Sequence, residues 1–274
     1  MKLALSGNQL NKFCDIISNC KYLSEFITFN CSPEKIYSQG LSLDHCSIYE
    51  LTINKEWFDD YEWNQDSDQP VFSISTDILA KVLSARQPSQ KMIIEYSNKP
   101  DYITLKFVSS SETTSSNIKE FPKEFMLPLI DVDMDHLEIP EMEYSAEFGI
   151  ESKALNTTNE QLSLFNETLT IHCSEAEIYL RSKGNDGELK VTLFNETCEH
   201  ITEFALDEDI SLTLDFSIKH FNVFCRFLKV SNNVMLGFTK KAPMKFEYIM
   251  DEQDDSNLKL VFYLAPKISD DDDE

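Results

Sequence analysis

An internal repeat constrains this chain more than any other feature of its sequence. Ile27-Thr-Phe-Asn-Cys-Ser-Pro-Glu-Lys-Ile-Tyr37 aligns without gaps on Leu169-Thr-Ile-His-Cys-Ser-Glu-Ala-Glu-Ile-Tyr179. Identities fall at Thr28/Thr170, Cys31/Cys173, Ser32/Ser174, Ile36/Ile178 and Tyr37/Tyr179. A match of that density marks a tandem duplication. Each half is long enough to bury a core of its own. Between them, Lys123 to Tyr144 reads as an extended connector, because Pro128 and Pro140 hold the residues before them out of the helical region. Asp131, Asp133 and Asp135 alternate with Val132 and Met134, the period of an extended chain with one face on protein and one in water. The division expected is an N-terminal domain over 1–123, a connector over 124–143, a C-terminal domain over 144–268 and an acidic, disordered tail over 269–274.

Each half carries the same series of elements. A strand over Met1–Leu5 leads to a helix ending near Cys20, with Leu10, Phe13, Ile16, Ile17 and Cys20 on one stripe. Strands are expected over Ile27–Asn30, Lys35–Tyr37, Ser42–Asn54, Glu56–Trp63 and Pro70–Ile74. A second helix, capped by Ser75 or Thr76, buries Ile78, Leu79, Val82 and Leu83 and ends near Ala85. Lys91–Ser97 and Tyr102–Ser109 form a hairpin across Asn98–Asp101, followed by a Ser/Thr loop over Ser109–Ser116. The second half repeats this order. Strand Tyr144–Ile150 leads into a helix from Ser152 to Leu164 with Leu155, Thr158, Leu162 and Phe165 inward. Strands Leu169–His172, Glu177–Arg181, Glu188–Asn195, His200–Ala205 and Asp209–Leu214 precede a fourth helix, which Ser217 caps and which ends near Val230. Strands Val234–Thr239, Met244–Met250 and Leu258–Leu264 close the domain. The class is α+β: two similar domains with helices collected on one face of antiparallel sheets.

Cysteines are odd in number and scattered, without Cys-x-x-Cys, which fits a reducing compartment. There is no run of apolar residues long enough to span a membrane, and no membrane partner is expected. No phosphate-binding Gly-rich loop, His-Glu-x-x-His or Gly-x-Ser-x-Gly is present, so no enzyme and no cofactor are expected. Asp131, Asp133 and Asp135 are the best metal candidate, but His136 and Met142 stand where a calcium loop needs Gly and Glu. They read as solvated carboxylates.

The formal charge of −24 excludes a simple basic nucleic-acid binder. Net charge is a sum, however, and association depends on where the charges sit. On the fourth helix, Lys219, Asn222, Arg226 and Lys229 share one face while Phe221, Phe224, Cys225 and Leu228 share the other. No acid occurs between Phe216 and Val230. In so acidic a chain, a helix carrying only bases reads as a surface kept for phosphates, whereas a merely solvated face would mix signs.

Two longer stretches carry a family resemblance. Leu129-Ile-Asp-Val-Asp-Met-Asp-His-Leu-Glu-Ile-Pro-Glu-Met-Glu-Tyr144 and Tyr263-Leu-Ala-Pro-Lys-Ile268 before an acidic end resemble the connector and C-terminus of the eukaryotic-type DNA sliding clamps, the proliferating cell nuclear antigen family. Phe58-Asp-Asp-Tyr61, Pro243-Met-Lys-Phe-Glu-Tyr248 and Leu43-Asp-His-Cys-Ser-Ile-Tyr-Glu-Leu-Thr52 support it in order and spacing. The resemblance implies a head-to-tail homotrimeric ring, with helices lining a hole through which duplex DNA passes. Its DNA-facing positions fall on Lys12, Lys81, Lys219 and Arg226, and Lys229 extends the stripe. It places a groove for client peptides at Leu43, His45, Leu137, Ile139, Pro140, Pro243, Tyr263, Leu264, Ala265, Pro266 and Lys267. Backbone groups of Ala265 and its neighbours would serve as hydrogen-bond partners. Leu137 and Ile139 have a plainer reading as anchors of the connector.

Clients implied are DNA polymerase, a clamp loader and other proteins carrying short clamp-binding peptides. The setting implied is the nucleus, or a viral replication compartment. Subunits would pair through edges around Asn117–Phe125, with Phe125, and Gly187–Phe194, with Val191. The sequence departs from the family in two places. The loop before His45 is shorter, and the third helix has Thr157 and Glu160 where the family is basic, leaving Lys153 alone on its exposed face. A checkpoint-type clamp subunit of a hetero-oligomer and a carboxylate-dependent hydrolase are the competing readings.

Overall fold

The computed structural model describes residues 1–63, 70–96, 101–109, 121–132, 137–196, 198–240, 242–250 and 257–267. Most of the expected hairpin turn (97–100), most of the Ser/Thr loop, Asp133, Asp135 and His136 of the connector, and the acidic tail lie outside the described residues. Two compact units emerge: Met1–Gly40, Glu50–His136 and Glu252–Lys259 in the first; Leu41–Tyr49, Leu137–Asp251 and Leu260–Glu274 in the second.

The first unit contains β1 (Lys2–Leu5), α1 (Gly7–Cys20), β2 (Phe26–Cys31), β3 (Lys35–Leu41), β4 (Ser47–Asn54), β5 (Asp60–Glu62), β6 (Val71–Ser75), α2 (Thr76–Ser84), β7 (Gln90–Tyr96), β8 (Tyr102–Ser109) and β9 (Lys123–Pro128), the start of β4 belonging to the second unit. One sheet runs β5-β1-β7-β8-β9, and a further run has the order β4-β3-β2-β6. The second unit contains β10 (Ala146–Glu151), α3 (Ser152–Leu162), β11 (Thr168–Cys173), β12 (Ile178–Gly184), β13 (Gly187–Asn195), β14 (Cys198–Glu199), β15 (Phe204–Leu206), β16 (Leu212–Ser217), α4 (Ile218–Cys225), β17 (Asn233–Phe238), β18 (Met244–Ile249) and β19 (Leu258–Leu264), the first two residues of β19 belonging to the first unit. Its strands run β15-β10-β17-β18-β19 and β14-β13-β12-β11-β16. The two halves therefore repeat the same strand order, with β1 and β10, β2 and β11, and β9 and β19 in equivalent places, and the short β14 is an addition in the second half.

The repeated residues do the same work in both copies. Ser32 closes a turn by hydrogen bonds to Lys35, its amide at 2.9 Å and its hydroxyl at 3.0 Å from the carbonyl. Ser174 does so with Glu177 at 3.0 and 3.1 Å. Thr28 shares a hydrogen bond with Ser73 on β6 at 2.7 Å, and Thr170 donates to Asp215 on β16 at 2.6 Å. Cys31 and Cys173 are buried free thiols, pushed up to about 12 by desolvation. They pack as small apolar groups.

α1 buries Leu10, Phe13, Ile16, Ile17 and Cys20, the stripe that its spacing dictates, and packs beside α2. Ser75 caps α2 by accepting from the Ile78 amide at 3.5 Å. Ile78 itself is 42% exposed, and Thr76 and Ala80 fill the buried face instead. Glu56–Trp63 is not a strand. The chain makes a 3-10 turn over Lys55–Trp57, closed by Phe58 N–H on Lys55 O at 3.2 Å, and Trp57 and Phe58 are both buried around it. Only Asp60–Glu62 then pairs, with β1. The expected strand over Ser42–Asn54 begins only at Ser47, after a turn, and of His200–Ala205 only Phe204 and Ala205 are strand.

In the second unit the fourth helix is shorter than its periodicity suggests. After Cys225 the chain tightens, with Arg226 N–H bonding Val223 O at 3.2 Å and Phe227 N–H bonding Phe224 O at 3.3 Å. Tighter winding rotates the following side chains. Phe227 and Val230 consequently enter the core, and Leu228, expected inside, is only half-buried. Phe224 stacks on Phe262 at 4.6 Å between ring centres, and Phe227 packs tilted against it at 5.0 Å. The Tyr248 hydroxyl donates to Phe224 O at 2.8 Å, satisfying a carbonyl at the helix end. On α3 the inward position belongs to Asn159, 0% exposed, rather than Thr158. Its amide donates to Asn222 on α4 at 2.5 Å, so a polar pair sits where the two helices meet.

Candidate nucleic-acid interface and peptide groove

On the first unit, Lys12 is half-buried on the polar side of α1. Lys81 is exposed on α2 and pairs with Asp77, one turn earlier, at 2.5 Å. An exposed pair of this kind is weakly held, so a phosphate can draw the ammonium away. Arg86, just past α2, donates to Asn11 on α1 at 2.7 Å. It puts a guanidinium against the polar side of α1, a placement that helical periodicity does not give because Arg86 lies beyond the helix.

On the second unit Lys219 is exposed in the first turn of α4. Arg226 is the C-cap residue and Lys229 lies in the turns beyond, both exposed. The three bases therefore do not form one helical stripe: only Lys219 stands on the helix proper. Bases at and beyond a helix C-terminus also answer its unpaired carbonyls. α3 is nearly neutral on its outer side. Lys153 and Glu160 are both exposed, Thr157 donates its hydroxyl to Lys153 O at 3.0 Å, and Asn156 donates to Glu160 at 3.0 Å.

All the expected groove residues belong to the second unit. Leu43 to Cys46 form a turn organised by the Asp44 carboxylate, which accepts from the Ser42 hydroxyl at 2.7 Å and the Cys46 amide at 3.3 Å. His45 N–H bonds Ser42 O at 2.9 Å, and His45 takes a left-handed φ of 59°. Side-chain bonds of this kind compete with a ladder, which is why the strand stops here. The turn leaves Leu43 83% exposed. The Ser42 hydroxyl first, then the Cys46 amide and His220, hold the Asp44 carboxyl down to about 2.

Ala265 N–H donates to Cys46 O at 2.9 Å, which brings this turn and the Tyr263–Lys267 segment together. That amide is thus engaged within the chain, and Lys267 N–H is likewise engaged by Asp215 O at 2.7 Å. The Lys267 ammonium donates to the Thr168 hydroxyl at 2.6 Å. Leu264 is wholly buried, so its side chain belongs to the core and cannot wall a groove. Tyr263, Pro266, Pro243 and Ile139 are half-buried, and Leu137, Pro140, His45 and Ala265 are exposed.

Phe125 stands in β9, the outermost strand of its sheet, with its ring against Phe107 at 5.9 Å. Its neighbours Met126 and Phe121 are strongly exposed. Val191, half-buried, stands in β13, which β14 borders at Phe194 and Asn195 and which His200 N–H meets at Leu193 O, 2.8 Å away. Residues 117–120 of the expected first edge lie outside the described residues.

The N-terminal domain model of proliferating cell nuclear antigen matches residues 5–136, and its C-terminal domain model matches residues 138–267. The chain belongs to the proliferating cell nuclear antigen family. It is 28% identical over 260 residues to the proliferating cell nuclear antigen of Chaetomium thermophilum, covering 93% of this chain and 94% of that protein. It is 26% identical to proliferating cell nuclear antigen 2 of Drosophila melanogaster, covering 89% of each chain, and 26% identical to the Caenorhabditis elegans protein, covering 93% of each. Both tandem domains of the family are thus present, and membership makes the chain a DNA sliding clamp.

Proposed function

We propose that this clamp closes as a homotrimer around duplex DNA, holds DNA polymerase to its template and recruits further replication and repair proteins through the groove around Leu43, Ile139 and Pro266. The observation that carries the reading is the match of both clamp domains along the chain, which share one strand order, with an outer edge at β9 and a partly bordered edge at β13. A strand edge with exposed Met126 and Phe121 beside it needs a partner, and head-to-tail pairing of unlike edges that closes on itself gives a ring. Lys12, Lys81, Lys219, Arg226 and Lys229 contact phosphates only, so binding is indifferent to sequence, as sliding requires. The nucleus is the proposed compartment.

Mass in solution, with loader-dependent retention on primed circular DNA as a function of salt, tests this. A trimer at micromolar concentration, retained on circular and lost from linear DNA, is expected. A monomer that binds only in the presence of unlike clamp subunits would replace the homotrimer by the hetero-oligomeric assembly.

A further inference from the structure

The turn that carries Leu43 is tied to the second unit on two sides. One tie is the Ala265 amide on Cys46 O, a main-chain bond. The other is made by a side chain distant in sequence: His220 Nε2 on α4 lies 3.0 Å from the Asp44 carboxylate. The His220 side chain is 11% exposed, and its Nδ1 is buried without a hydrogen-bond partner. An ionised carboxylate only accepts, so the proton of the neutral ring sits on Nε2. With Nδ1 bare, a buried lone pair goes unmet, which is costly unless the contact at Nε2 compensates.

The imidazole thus stands with one nitrogen enclosed and the other aimed at a loop. Its immediate neighbour Lys219 is exposed on α4. Phe221, the next residue, is locked in the aromatic core against Phe246. His220 is therefore held on a rigid element, while Asp44, with its side chain 45% exposed, belongs to a turn whose own bonds fix its shape but not its place.

We propose that His220 is a positioning residue of the client groove: through Asp44 it latches the Ser42–Ser47 turn to α4 and so sets where Leu43 stands for an incoming peptide. This rests on the groove reading given above. A large apolar side chain presented on a pre-ordered turn binds without a further ordering cost, whereas the same side chain on a loosened turn must be ordered at each encounter.

The test measures binding of a peptide carrying a glutamine, a spaced aliphatic residue and two adjacent aromatics to the full-length clamp. His220→Leu removes the donor and is expected to weaken binding about tenfold, through faster dissociation. His220→Gln keeps an N–H within reach of Asp44 and is expected to restore most of it. Asp44→Ala, on an exposed turn outside the core, removes the latch together with the Ser42 and Cys46 bonds that shape the turn. It is expected to weaken binding at least as much as His220→Leu, and His220→Leu is expected to cost nothing more when added to it. This covers the case where the buried substitution fails to fold. The decisive readout is a double-mutant cycle. In the His220→Leu background, Leu43→Ala is expected to cost little more, while Ile139→Ala keeps its full effect. Additive losses for Leu43→Ala and His220→Leu, or unchanged affinity in both His220→Leu and Asp44→Ala while Leu43→Ala and Ile139→Ala weaken binding, would overturn the latch. Unchanged affinity in Leu43→Ala and Ile139→Ala as well would instead place the groove elsewhere.

Discussion

Charge reversal on the fourth helix probes the nucleic-acid reading without disturbing the fold, and the helix geometry shows why. Lys219 sits in the first turn of α4 and Arg226 at its C-cap, both exposed. Glutamate in place of Lys219 meets the positive end of the helix dipole, a gain of about 0.3–1 kcal/mol. Glutamate in place of Arg226 meets the negative end, a loss of about the same size. The two nearly cancel, so the thermal midpoint of Lys219→Glu/Arg226→Glu is expected to stay within about 2–4 °C of the parent.

DNA contact, by contrast, does not cancel. Each phosphate neutralised contributes about 0.9 to the slope of log affinity against log salt, so losing two such contacts per subunit engaged removes about 1.8 from that slope. Retention of loaded clamp on circular DNA, followed from low to physiological salt, measures it, and polymerase processivity is expected to fall in parallel. Client-peptide affinity is expected to remain unchanged. A variant with the parental slope and retention would mean that this end of α4 does not meet the duplex, and the whole DNA-facing assignment would fall with it.

Glu160→Arg on α3 is the opposite perturbation: it adds a base to a nearly neutral outer face and should lengthen retention on DNA in the same assay. Phe125→Asp and Val191→Asp place charge on the two strand edges, and each is expected to give a folded monomer by light scattering and circular dichroism. Tyr248→Phe removes the buried hydroxyl from Phe224 O; since that carbonyl also receives the Phe227 amide, a loss of about 1 kcal/mol in denaturant unfolding is expected. Asp44, held down to about 2, stabilises the fold above the ordinary aspartate value near 3.9, and that contribution is lost as pH falls through about 2. Because the carboxylate is half exposed, it amounts to no more than about 1 kcal/mol, seen as a shallower acid limb in Asp44→Ala.

What could be read from the sequence is what short-range geometry decides. The stripe of α1 from Leu10 to Cys20 and the bounds of β19 follow from period and residue type alone. The repeat was equally legible, because Ser32 and Ser174 make their turns with residues three positions away and need no distant partner. The family followed from motifs in order, and the base-only composition around α4 from a count of charges. Tertiary structure decided whatever depends on which surfaces meet. Trp57 and Phe58 are both buried around a 3-10 turn where a strand was expected. Phe262 and Tyr248 received Phe224 and Phe227, so α4 ended early and Leu228 turned outward. Asn159 met Asn222, and a polar residue took the helix position closest to the core. Asp44 met His220 across 176 residues of chain, a pairing that no local pattern encodes because its cost is loop closure and its gain is packing, both settled only when the domain closes.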